Sequence, residues 1–190
     1  MDQWDILQAA GAEFSKRVRK VGVDRYDTPS NCGGWSVRQL IEHAVGGNLM
    51  ATILAKGGSR EEALEPFSRG DLLRDNASEA FNGSFRTMFD ALKRPGVLDW
   101  VVHHPAMDMP GGRLFQFRTA DVALHGWDLA RPTAQDDTLS PIVVQAVWDA
   151  FQPMAPMMKQ SGVFGEGPSG NVGDAAPLQA RLLDLTGRRP

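Results

Sequence analysis

Ser36-Val37-Arg38-Gln39-Leu40-Ile41-Glu42-His43-Ala44-Val45-Gly46-Gly47-Asn48-Leu49-Met50-Ala51-Thr52-Ile53-Leu54 is the stretch whose reading decides the fold. At about 100° per residue from Leu40, the positions Met50, His43, Leu54, Gly47, Ala51 and Ala44 share one apolar sector, as on a helix with one buried face. Ser36 is placed to cap the start, and Gly57, Gly58 and Ser59 end the helix after about Lys56. His43 is the one strongly polar member of the buried sector. A buried histidine is ordinarily satisfied by a carbonyl or a neighbouring side chain, so alone it identifies nothing.

Working outward, Trp4, Leu7, Gly11, Phe14, Val18 and Val21 recur at spacings of three and four and predict a preceding amphipathic helix. Between the two, Tyr26 to Gly34 has a loop composition, with Pro29, Ser30, Asn31 and a glycine pair. Downstream, a polar stretch leads to a third helix from about Asp71 to Lys93, with Leu72, Phe81, Phe85, Met88, Phe89 and Leu92 as its apolar positions and Pro95-Gly96 as its stop. The pattern then changes. Val97, Leu98, Trp100, Val101 and Val102 precede a Pro110-Gly111-Gly112 turn, and Leu114, Phe115 and Phe117 follow it, which predicts a small hairpin or an irregular excursion. A fourth helix is expected from about Phe117 to Ala130, before Pro132, and a fifth from Ser140 or Pro141 to about Lys159. Gly162 to Gly173 is a Gly-rich link, and Pro177 to Leu185 reads as a short closing helix. The expected architecture is an all-α helical bundle over residues 1–160, with 161–190 as a link and docking helix of the same domain.

Composition bounds the partners. In 190 residues, 20 Lys and Arg stand against 23 Asp and Glu, which argues against a nucleic-acid or anionic-membrane surface. Cys32 is the single cysteine and cannot form an internal disulfide. The first twenty residues do not read as a signal peptide, and Ala44 to Ala55 is too short and too interrupted to supply the roughly 20 residues a bilayer span needs. A reduced, cytoplasmic location is expected.

The fourth helix carries the second set of unusual residues. Asp121 and His125 stand four apart and meet on one face, with Asp128 one turn on and Arg118 one turn back. Burying that face is costly unless the groups pair or coordinate a cation. Two readings stand from spacing alone: a divalent ion held by imidazole and carboxylate, or an Arg118–Asp121 or Asp128–His125 ion pair on a half-exposed face. With His43 the ligands would number three, the count of a catalytic ion with an open fourth position. His103 and His104 precede Pro105 and are expected at the surface, as reserve ligands only. Trp35, Trp100, Trp127 and Trp148 read as core and interface filler rather than parts of a cofactor box, Arg113 and Arg118 as exposed, and Cys32 as a weak nucleophile outside the site.

Gly34-Trp35-Ser36-Val37-Arg38-Gln39-Leu40-Ile41-Glu42-His43 resembles the W-x-V-x-x-L-x-x-H opening of the second helix in DinB-like metal-binding proteins, in particular the branch of the mycothiol-dependent maleylpyruvate isomerase. Asp121 through Ala130 resembles that branch's acidic-x-x-x-His-x-x-Asp helix, and Gly173 through Arg188 resembles the closing segment of its actinobacterial-type members. The resemblance implies an up-down-down-up four-helix bundle with His43, Asp121 and His125 as metal ligands. It further implies zinc, with nickel as an alternative, and mycothiol as a candidate co-substrate. Asp121 stands where the isomerase has glutamate, one methylene longer, and the tail is too short for that enzyme's C-terminal domain. Maleylpyruvate is therefore not the expected substrate. Asp128 is assigned to hold a ligating imidazole from behind.

Two functions follow. The first is a metal-dependent enzyme activating a water or a low-molecular-weight thiol for transfer, isomerisation or hydrolysis. The second is a non-catalytic bundle that binds a metal or small molecule, as a stress-related sensor or carrier. In either case the expected partner is a small molecule or thiol, and pairing of bundles in this family makes a homodimer the expectation.

Overall fold

The structure is a computed structural model and describes residues 2–156 and 167–190. Its helices are α1 (Gln3–Val18), α2 (Val37–Ala55), α3 (Arg60–Ser68), α4 (Ala77–Leu92), α5 (Gly111–Ala130), α6 (Pro141–Phe151) and α7 (Leu178–Leu185). Two short strands, β1 (Val101–His103) and β2 (Asp108–Pro110), form an antiparallel hairpin that pairs Val101 with Pro110 and His103 with Asp108. The all-α, DinB-like bundle expected from the sequence is what the chain forms. No helix among the described residues is long and apolar enough to cross a membrane.

By compactness the chain divides into two units, Ala10–Asp137 and Met1–Ala9 with Thr138–Pro190. In the first, α2 is the central element and packs against α3, α4 and α5. Ser36 and Gln39 close a capping box at its start, each side chain bonded to the other's backbone N–H. Leu40, Ile41, Leu54, Met88, Leu114 and Trp127 are fully buried in this core, and the Phe14 and Phe81 rings meet at 4.5 Å. In the second unit α6 packs against α7, Arg181 lies over the Trp148 ring at 4.6 Å, and the Leu139 N–H donates to the Gln179 side chain.

Several boundaries differ from expectation, each for a local reason. The polar stretch after Ser59 contains a helix, α3. Its signal is the Ser59-x-x-Glu62 capping box, and it shows little amphipathic stripe because among its residues only Ala63 and Pro66 are buried. The third expected helix does not begin at Asp71: Asp71 and Arg74 have φ of 53° and 50°, outside the helical region, and Asn76 caps α4 by accepting from the Ser78 and Glu79 N–H groups. Pro110-Gly111-Gly112 is not the hairpin turn, which falls over residues 104–107. Gly111 opens α5, donates its N–H to the Trp100 carbonyl at 2.8 Å, and sits where a Cβ would collide with the Val97 carbonyl. Leu114, Phe115 and Phe117 are therefore helical, and α5 begins six residues before the expected Phe117. The fifth helix stops at Phe151 in a 3-10 turn, Gln152–Met154, that carries Pro153. Its expected end, 157–159, and the first part of the Gly-rich link, 162–166, lie outside the described residues.

Candidate metal centre

Two helices of the Ala10–Asp137 unit supply the site. The capping box fixes the start of α2, so that two turns on His43 faces α5, half-buried. On α5, the i, i+4 spacing sets Asp121 and His125 one above the other. The structure brings His43, Asp121 and His125 together, with one donor atom of each within 4.8 Å of the others. Asp121 Oδ1 lies 3.3 Å from His43 Nε2 and 3.3 Å from His125 Nε2, and the two imidazoles meet edge to face with centroids 4.9 Å apart.

Those two distances test whether the residues suit a cation. Zinc bonds of about 2.0–2.1 Å to nitrogen and oxygen place neighbouring ligands of a tetrahedron about 3.3–3.4 Å apart. Charge-assisted hydrogen bonds are shorter, about 2.7–2.9 Å between nitrogen and oxygen. The same cluster contains such bonds: Arg118 Nη1 donates to Asp121 Oδ2 at 2.6 Å, and His125 Nδ1 is 2.9 Å from Asp128 Oδ2. The 3.3 Å pair, long for a charge-assisted hydrogen bond, is also the length of the edge of a metal polyhedron, and the shorter Asp121 side chain spans the gap. The donor set fits zinc or a similar divalent ion. Both ion pairs weighed as alternatives to a metal are also present, so pairing and convergence of the triad are compatible.

The orientation of His125 follows from Asp128. That carboxylate is 1% exposed and lies 2.9 Å from Nδ1, which turns Nε2 toward Asp121. Exposure is graded across the triad: the side chains of His43 and Asp121 retain 29% and 25% of their accessible surface and that of His125 9%, so the cluster opens on the His43 and Asp121 side.

Electrostatics agree with a site that holds charge. Burial disfavours an ionised Asp121, yet Arg118, then His125 and His43, outweigh it and hold this carboxyl well below the usual carboxylate range. For His125 burial pulls down, but Asp121 and Asp128 together raise its pKa above the ordinary imidazole value. A cation at Nε2 would compete with a proton for the same lone pair.

Other residues are placed differently from expectation. Arg118 is buried, 3% exposed, rather than at the surface. Its Nη2 donates to the Asn48 side-chain oxygen at 2.8 Å and to the Ala44 carbonyl at 3.3 Å, and Gly47 leaves the room, since a Cβ there would collide with Nη1. Trp35 is not core filler: half-buried, it lies against His43 at 4.7 Å and His125 at 6.0 Å between ring centroids. Phe67 flanks the other side of His43 at 6.0 Å. Cys32, left out of the site by the sequence reading, has its Sγ within 4.8 Å of donor atoms of His125 and Asp128. The loop places it: Ser30 Oγ accepts from the Cys32 N–H, the Trp35 N–H returns to the Cys32 carbonyl, and Gly34 takes φ of 83°. His103 is exposed and paired with Asp108 at 3.0 Å, while Arg60 binds both Asp108 and the His104 carbonyl and ties the hairpin to α3. His104 is partly buried, with Nδ1 accepting from the Ala106 N–H; burial and then Arg118 lower its pKa.

Two facing helices of a bundle thus gather two imidazoles and a carboxylate, a set with the donor atoms to hold a metal ion. This chain belongs to the mycothiol maleylpyruvate isomerase N-terminal domain family, whose model matches residues 7–130. Two uncharacterized proteins of Mycobacterium tuberculosis, one from strain CDC 1551 / Oshkosh and one from strain H37Rv, are each 30% identical to it over 141 residues, covering 74% of this chain and 72% of the relative. No solved structure matches the chain.

Proposed function

We propose that the chain is a metal-dependent enzyme in which His43, Asp121 and His125 hold a divalent ion, zinc by donor set, beside an open position for a water or a low-molecular-weight thiol. The observation that carries this reading is the placement of one carboxylate oxygen 3.3 Å from each of two imidazole Nε2 atoms. Bound there, such an ion supplies Lewis acidity toward a water or thiol at neutral pH. The protein's own contribution is orientation. Asp128 fixes the tautomer of His125, Arg118 keeps Asp121 ionised, and Trp35 and Phe67 wall the histidines with apolar surface. The family supports mycothiol as the thiol, and transfer, isomerisation or hydrolysis as the reaction class, in a cytoplasmic protein.

A second reading, a non-catalytic metal or small-molecule binder, is favoured by one feature: Asp121 and Asp128 are both engaged, with Arg118 and His125 respectively, so neither carboxylate stands ready as a general base. A thiol-conjugation assay separates the two. Protein purified without an affinity tag is compared with the chelator-stripped and zinc-reloaded forms and with His43→Ala, using several small thiols and an electrophilic reporter. Thiol consumption that needs both metal and His43 supports the enzyme. Metal bound without turnover of any thiol supports the binder.

A further inference from the structure

Arg118 is the buried cation that touches a candidate ligand directly. It is 3% exposed, its Nε has no hydrogen-bond partner, and it occupies a slot that exists only because residue 47 is glycine. A buried guanidinium with an unsatisfied nitrogen costs free energy that an apolar side chain of similar size would not. Its fork is instead spread between two helices. One end holds Asp121 Oδ2 on its own helix at 2.6 Å, and the other holds Asn48 Oδ1 and the Ala44 carbonyl on α2. Asn48 is anchored in turn, donating to Ser84 Oγ on α4 at 3.1 Å, and Ser84 donates to the Phe81 carbonyl at 3.0 Å. The fork is thus braced through three helices, and its rigid part points at one oxygen of one candidate ligand.

We propose that Arg118 is a positioning residue that occupies Asp121 Oδ2 and so makes Asp121 a one-oxygen ligand, tuning the centre for small cations of low coordination number. This rests on the metal reading above and adds a cause for selectivity. Oδ1 is the oxygen turned to both imidazoles, and the 2.6 Å bond to Arg118 draws on the charge of Oδ2 and fixes the carboxylate plane, which makes Oδ2 the poorer ligand for a cation beside Oδ1. Ions content with four ligands, such as Zn²⁺ and Co²⁺ among nitrogen donors, lose little by this. An ion that seeks six oxygen-rich positions, such as Mn²⁺, loses the second carboxylate oxygen it would otherwise take. Lysine cannot replace the fork, because a single ammonium on a flexible stem does not bind Asp121 and Asn48 in a fixed plane.

The test uses the whole chain loaded with Co²⁺, whose visible absorption is strong at four-coordinate centres and weak at six-coordinate ones, together with competition between Zn²⁺ and Mn²⁺. Arg118→Gln removes the fork; Arg118→Lys keeps the buried charge and carries the test if the first variant does not fold. The expected result is a strong visible band in the unmodified chain that weakens several-fold in both variants, with the preference for Zn²⁺ over Mn²⁺ falling about tenfold. A purely structural role would weaken all cations alike and leave the band shape and the preference unchanged, which would overturn the proposal. Failure of the parent reading looks different: the unmodified chain itself would then give no cobalt band.

Discussion

At the scale of single residues, the cluster is a set of charges each holding another in place, and removal of one has a signed consequence. Because the folded pKa of His125 is raised, its contribution to stability in the metal-free protein is full below the ordinary imidazole value, about 6.5, and is lost as pH rises through the folded value. A divalent ion needs the neutral ring, so its stabilisation runs the opposite way and grows over the same range. Thermal unfolding of chelated and zinc-loaded protein across this window should show opposite trends, and both should flatten in His125→Gln. Parallel trends would show that His125 is not where proton and metal compete. Asp128→Asn keeps shape and removes charge, and it should lower metal affinity about 10–100-fold; isothermal titration reads this directly. Gly47→Ala drives a methyl into the guanidinium of Arg118 and should destabilise the fold by about 1–3 kcal/mol in chemical denaturation.

Much of this was visible in the sequence at this scale, for physical reasons. His43, Asp121, His125 and Asp128 were identifiable because helical periodicity assigns each a face, and a polar residue on an apolar face is conspicuous. Arg118 shares that face, yet its burial depends on Gly47 and Asn48 of another helix, a pairing that periodicity within one segment does not reveal. Cys32 and Trp35 were misplaced because loop geometry brings them in: Gly34 in the left-handed region and a turn closed by Ser30 are not periodic features.

At the scale of elements, the helices that bury a wide stripe were legible and those that do not were missed. The capping boxes of α2 and α3 are equivalent in form, but α2 has twelve buried residues behind its cap and α3 has two. The short helix therefore depends more on its cap. Ser59→Ala should cost about 1 kcal/mol, with amide exchange in residues 60–68 rising more than that in α2. In sequence Gly111 has the signature of a turn glycine, because Pro-Gly-Gly usually marks one. Its actual constraint is the backbone of Val97, which a side chain cannot push aside as it could a flexible neighbour. Gly111→Ala should accordingly disturb the start of α5 and be more damaging than Gly112→Ala, whose nearest neighbour, the Leu98 carbonyl, is at 3.4 Å. Melting temperatures of the two variants make the comparison.

At the scale of the whole molecule, the candidate site lies within the Ala10–Asp137 unit, on two facing helices. Metal should then stabilise that unit through linkage, by about 2.7 kcal/mol at a free concentration a hundred times the dissociation constant. The central claim is that His43, Asp121 and His125 form a divalent-metal centre, and metal content tests it most directly. Protein purified without an affinity tag is assayed by elemental analysis beside Asp121→Ala and His125→Ala. The account predicts about one zinc or similar divalent ion per chain and loss of nearly all of it in both variants. Equal and negligible metal in all three proteins, after incubation with zinc, would contradict it and leave the cluster as a buried hydrogen-bonded network.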